Sequence, residues 1–241
     1  MNLKGGVLII GSLFWEDHLD NEKKDNIRLD WRAQNLSKDL VLTEAPIRYA
    51  RQSSTRKDTY TMIFSKSCEN NLGQGLILPF NEKVTSFESI EKQAIALAIA
   101  EGIYKPDNKR LTSSWGSVGL LINPELNKVD FASYELIQMK WSNIYKDYSE
   151  TFMSSRYKTN EETESSIAQT GLLNINWQKG MDDFDLLIGT PVIPKPKTFP
   201  TAKNISDKIN ETGYKKYFEE NRKNKILTFQ DSEIVDGLNK Q

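Results

Sequence analysis

The residues of this chain that could do chemistry are few. Gly11-Ser12-Leu13 follows a four-residue apolar run, Val7-Leu8-Ile9-Ile10. A glycine at the exit of a buried strand lets the backbone turn and lets a ligand approach the main chain closely. Amides freed at such a turn can hold a carboxylate or a phosphate. A bulge at Gly11 within a longer strand is the plainer alternative. The second feature is Glu101, a carboxylate late in an alanine-rich segment. It follows Ile90, Ala94 and Leu97 at helical spacing and so shares their stripe. Burial and the negative end of the helix dipole would both favour its protonated form, which suits a group that gains and loses a proton near neutrality. Fraying into water at the helix end is the alternative. Glu91, near the start of the same segment, suits the dipole as an ordinary first-turn acid. Arg48, Arg51 and Arg56 could grip an anion, or could be solvated or salt-bridged.

Other chemistries are poorly supplied. His18 is the only histidine and Cys68 the only cysteine, so a zinc site of nitrogen and sulfur ligands cannot be assembled and no metal is expected. A Cys68/His18 dyad would need the fold to join two distant segments.

Several elements must position these groups. Val7–Ile10 reads as a buried strand, and the charged stretch 16–40 as a loop with a short helix near Trp31–Leu36. Pro46–Arg51, Thr59–Phe64 and Gly75–Phe80 read as strands, with the polar connection 52–58 between the first two. Residues 86–103 form the clearest helix, with Ser86 as N-cap and Gly102 as the C-terminal glycine. Trp115–Ile122 is another strand. Ile137, Trp141, Ile144, Tyr145, Tyr148 and Phe152 form an aromatic helical stripe that reads as core packing, because few basic residues interleave with it. Residues 154–170 are polar and read as a linker. Strand-like runs follow at 172–177 and 184–193, then an extended proline-spaced stretch, a charged helix near 214–224, a short strand at 225–229 and a last turn of helix.

Bulk composition excludes several classes. The 241 residues carry 32 Lys+Arg against 33 Asp+Glu, a net charge of −1, so nothing marks a nucleic-acid or membrane-surface protein. No segment approaches the roughly 20 apolar residues of a membrane span. One cysteine fits a reducing compartment, and a cytoplasmic location is expected. Strands and helices alternate without a βαβ rhythm, so the expected class is α+β, a small mixed or antiparallel β-barrel with flanking helices. The expected division is a core at 1–153, the linker at 154–170, and a C-terminal α/β extension at 171–241 that packs on the core and offers a surface for a homodimer or protein partner.

Gly11-Ser12-Leu13-Phe14-Trp15 resembles the N-terminal loop of the γ-glutamylcyclotransferase-like superfamily, especially its ChaC-like branch. Ile47–Arg51 with Ser53-Ser54-Thr55-Arg56, Gly73–Pro79 and the helix at 86–103 resemble the elements that follow in that branch, in order and spacing, over about residues 7–104. The resemblance implies a metal-independent enzyme of the lyase class without a diffusible cofactor. Its substrate is a small anionic γ-glutamyl compound, whose α-amine attacks its own γ-carbonyl and releases 5-oxoproline. The amides of Gly11, Ser12 and Leu13, with Arg51 and Arg56, would hold the substrate, and a glutamate would relay the proton. Ile10 stands where the family commonly has tyrosine. Ile99, Ala98 and Leu97 occupy the positions where the catalytic glutamate belongs, before Gly102-Ile103-Tyr104. Glu101 in a shifted register, Glu91, or a catalytically inactive anion-binding or protein-interaction module on the same fold are the resulting options.

Overall fold

The computed structural model describes residues 1–19, 25–104, 110–148, 150, 152 and 154–240. Residues 20–24 of the charged stretch and residue 153 at the expected core boundary lie outside them.

Strand β1 (Gly5–Ile9) is buried along its whole length and forms the middle of a five-stranded mixed sheet. It pairs antiparallel with β5 (Gly73–Pro79) and parallel with β7 (Leu186–Gly189). Strand β2 (Val41–Ala45) extends the sheet beyond β5, and β6 (Gly119–Ile122) extends it beyond β7, giving the order β2-β5-β1-β7-β6. Alternation along β1 sends Val7 and Ile9 into one apolar cluster and Leu8 into another, on opposite faces. Helices α1 (Ile27–Asn35), α2 (Phe87–Ala100) and α4 (Phe131–Tyr145) supply the first cluster; the short α3 (Leu126–Val129) leads into α4. The second is closed by the hairpin β3 (Ile47–Ser53) and β4 (Thr59–Phe64) with helices α5 (Ala202–Thr212), α6 (Lys216–Lys223) and α7 (Asp231–Asn239).

The α+β class holds, but the barrel does not form: the described strands make an open sheet and a separate two-stranded hairpin. Pro46 separates β2 from β3. A residue without an N–H cannot continue a ladder, and the chain leaves the sheet there to run beneath it. The strands are also short, four to seven residues.

The 154–170 stretch is packed. Tyr157, Thr159, Glu162, Ser165, Ser166 and Ile167 are all buried. Its polar side chains are used internally: Ser65 Oγ and the Ser67 N–H donate to Glu162 Oε1 at 2.7 and 3.3 Å, and the Phe199 N–H donates to Glu161 Oε1 at 3.0 Å. Beyond it, β7 lies inside the main sheet, so residues before and after the stretch share one hydrogen-bonded layer. Other expected strands are shorter or reduced to bridges. The run at 115–122 is strand only from Gly119 and that at 184–193 only over Leu186–Gly189, while 172–177 contributes bridges at Leu172 and Leu173 and 225–229 a single bridge, Gln74 to Leu227. Among the described residues no helix is long and apolar enough to cross a membrane.

Candidate functional site

β1 and β7 run parallel, and both end at the same place. Crevices at the carboxyl ends of parallel strands are where open sheets expose unpaired main chain. A cavity of about 1050 Å³ opens there, lined by Gly11, Ser12 and Leu13 after β1 and by Thr190 after β7.

Beyond Gly11 the chain makes a tight turn: Trp15 and Glu16 N–H groups donate to the Ser12 carbonyl at 3.1 and 2.8 Å. The N–H groups of Ser12 and Leu13 have no acceptor among the described residues. Arg32 on α1 staples the turn from outside, donating to the Leu13 and Glu16 carbonyls at 2.7 and 3.1 Å and pairing with Asp17. Desolvation lowers the basicity of Arg32, and Asp17 opposes that shift. Gly11 is required by a close approach: a Cβ there would lie 2.7 Å from the Tyr217 hydroxyl. That hydroxyl accepts from the Met62 N–H at 3.2 Å.

A charged cluster fills the floor. Glu16 Oε2 accepts from Arg28 at 2.5 Å and from Arg56 at 2.7 Å. Arg28 also donates to Glu101 Oε2 at 3.0 Å and to the Ala100 carbonyl at 3.2 Å. Ser12 Oγ accepts from Arg56 at 2.9 Å and from Arg28 at 3.4 Å. Two carboxylates thus face two guanidiniums, and the turn hydroxyl is tied to both cations. Glu101 reaches this cluster because it caps α2. Its N–H bonds the Leu97 carbonyl at 3.0 Å, in line with the fully buried Ile90, Ala94 and Leu97. Gly102 follows at φ 71°, the left-handed conformation that ends a helix. The Glu101 side chain keeps 15% of its surface exposed, and among the described residues its Oε1 accepts no hydrogen bond.

Of the residues singled out from the sequence, Gly11, Ser12, Leu13, Arg51, Arg56 and Glu101 all line this cavity. Glu91 does not; it lies ten positions earlier on α2, about 15 Å along the axis. Arg48 is elsewhere too, with its guanidinium 3.6 Å from the Phe199 ring centroid. A register shift between Tyr49 and Arg51 breaks the alternation of β3, and bulges of this kind re-aim the side chains beside them. Cys68 is buried beside Arg48, Ser65 and Ser67, and burial pushes its thiol up. His18 bonds the Asp25 carbonyl in a different group, so the two do not form a dyad.

Sequence reasoning missed Glu16, Arg28, Tyr214, Tyr217 and the cavity face of Trp115. Glu16 and Arg28 sit in a charged stretch whose composition reads as solvated, and the tyrosines come from the far end of the chain. Burial pushes both phenols up, with Arg56 partly opposing, so both keep their protons at neutral pH. Arg56 lies 5.1 Å from the Tyr217 ring centroid. In comparisons with protein-family models, with curated proteins and with solved structures, nothing matches this chain.

Proposed function

We propose that the chain is a cyclotransferase acting on a γ-glutamyl or similar acyl-amine compound, with release of 5-oxoproline. The observation that carries this reading is that the open turn at Ser12-Leu13 and the free oxygen of Glu101 share one cavity. The substrate carboxylate is held by the Ser12 and Leu13 N–H groups. Glu101 Oε1 takes a proton from the α-ammonium, and the freed nitrogen pair attacks the γ-carbonyl carbon of the same molecule. The amide C–N bond then breaks as the departing nitrogen takes that proton back from Glu101, and the second proton left on the ring nitrogen passes to the released amine, which leaves as the ammonium. Arg28 is a positioning residue, since it fixes the Glu101 carboxylate by Oε2 and leaves Oε1 for the substrate. Ring closure within one molecule needs mainly orientation, which a rigid turn and a pinned carboxylate provide.

The test is 5-oxoproline release from a panel of γ-glutamyl dipeptides, γ-glutamylamines and glutathione. Glu101→Gln is expected to lower kcat by about 100-fold or more, the usual range for a lost proton relay. The second reading, an inactive anion-binding module, is favoured by one observation: Glu16 and Glu101 are each ion-paired to an arginine. Absence of 5-oxoproline from every compound, with ligand binding equal in the parent and in Glu101→Gln, would select it.

A further inference from the structure

One guanidinium in the cavity has no carboxylate partner among the described residues. Glu16 and Glu101 are matched by Arg28 and Arg56 through contacts of 2.5–3.0 Å. Arg51 stands outside that network. It is half-buried on β3, its Nη1 donates to the Ile193 carbonyl at 2.7 Å, and its guanidinium lies 5.6 Å from the Trp115 ring centroid. Among the described residues no carboxylate pairs with it, and neither its Nε nor its Nη2 has an acceptor. Desolvation lowers its basicity, yet a guanidinium keeps its proton in a protein. A partly desolvated cation without an anion is costly, and a ligand that brings the anion recovers that cost. Lys195, exposed on the same wall, adds a second positive charge, and its N–H is fixed to the Ala50 carbonyl beside Arg51 at 3.2 Å. The cavity, at about 1050 Å³, also lies just above the range of roughly 300–1,000 Å³ usual for small-molecule sites.

We propose that Arg51, flanked by Trp115 and Lys195, is a second anion subsite, and that the ligand of this cavity is a dianion bound by one acid group at the Ser12-Leu13 turn and by the other at Arg51. If the cyclisation reading holds, on which this clause rests, the second acid group belongs to the amine that leaves.

The test is calorimetric binding of a ladder of α,ω-dicarboxylates against monocarboxylates of the same chain length. At one length the diacid is expected to bind about tenfold or more tighter, the increment of a hydrogen bond to a charged partner. Arg51→Gln is expected to bring that ratio close to one, and Arg51→Lys to retain part of it. A ratio near one at every length in the parent, or a ratio unchanged in Arg51→Gln, overturns the proposal. The parent ladder and Arg51→Lys decide the matter if the glutamine variant does not fold. Diacid preference without 5-oxoproline release keeps the subsite and removes the cyclisation; release without diacid preference does the reverse.

Discussion

Arg28 holds two carboxylates on one guanidinium, at 2.5 and 3.0 Å, with its side chain 9% exposed. Removing one member of a nearly buried ionic group leaves the others desolvated and unpaired, which costs more than the group contributes as a whole. Arg28→Met is therefore expected to destabilise the fold by about 2–4 kcal/mol, reduced from the upper range because Glu16 keeps Arg56. Urea unfolding at neutral pH measures it, and a change below 1 kcal/mol, within ordinary surface-substitution scatter plus error, would mean the cluster is hydrated. The residues of this cluster differ in how far the sequence exposes them. Glu101 is legible because three buried neighbours precede it at helical spacing. Glu16 and Arg28 are not, because nothing local distinguishes a paired charge from a solvated one. The Arg28–Glu101 contact spans 73 positions.

At the scale of elements, strands with apolar alternation and the capped helix α2 are readable, and two elements are not. β2 inverts the usual pattern: Leu42 is exposed while Thr43 is buried, its hydroxyl donating to the Lys179 carbonyl at 3.0 Å. α5 follows directly on a proline-spaced run that reads as extended, although Thr201 and Asn204 form a capping box and Ala202, Ile205 and Ile209 have helical spacing. The 154–170 stretch is polar enough to read as a tether, yet it inserts Glu162 beneath Ser65 and Ser67. Burial raises the Glu162 carboxyl above its ordinary 4.5, against the hydrogen bonds from Ser65 and Ser67, and among the described residues its Oε2 has no hydrogen-bond partner. An acid raised in the folded state binds its proton more tightly there than in the unfolded chain. Its contribution is fully present below 4.5 and is lost as pH rises through the folded value. Glu162→Gln keeps an acceptor for Ser65 and removes the titration, so the fall in stability above pH 4.5 is expected to flatten. Chemical unfolding across that window reads it, and an identical slope in both proteins would place the titration elsewhere.

At the scale of the whole molecule, the part after residue 200 closes one face of the sheet. Ile205, Ile209, Phe218, Ile226 and Ile234 are each at most 4% exposed, packed against β3, β4 and β5. Burying five such side chains contributes roughly 8–15 kcal/mol, as much as the net stability of a typical domain. A chain ended at Pro200 is expected to show no cooperative thermal transition by calorimetry. A retained sharp transition would mean that the sheet and the α1, α2 and α4 layer stand alone. The general class is visible in the sequence, because periodicities of two and of three to four residues both occur. The open topology is not, since it depends on where β7 inserts, and a four-residue apolar run says nothing about its neighbours.

The indole N–H of Trp15 donates to the side-chain oxygen of Asn221 at 2.8 Å, across 206 positions of chain. During synthesis the ribosome adds about 5–20 residues per second, so this partner emerges roughly 10–40 s after the tryptophan. Until then the turn after β1 has neither Asn221 nor Tyr217 against it. The cavity wall that Tyr214 and Tyr217 supply is therefore completed only late in translation.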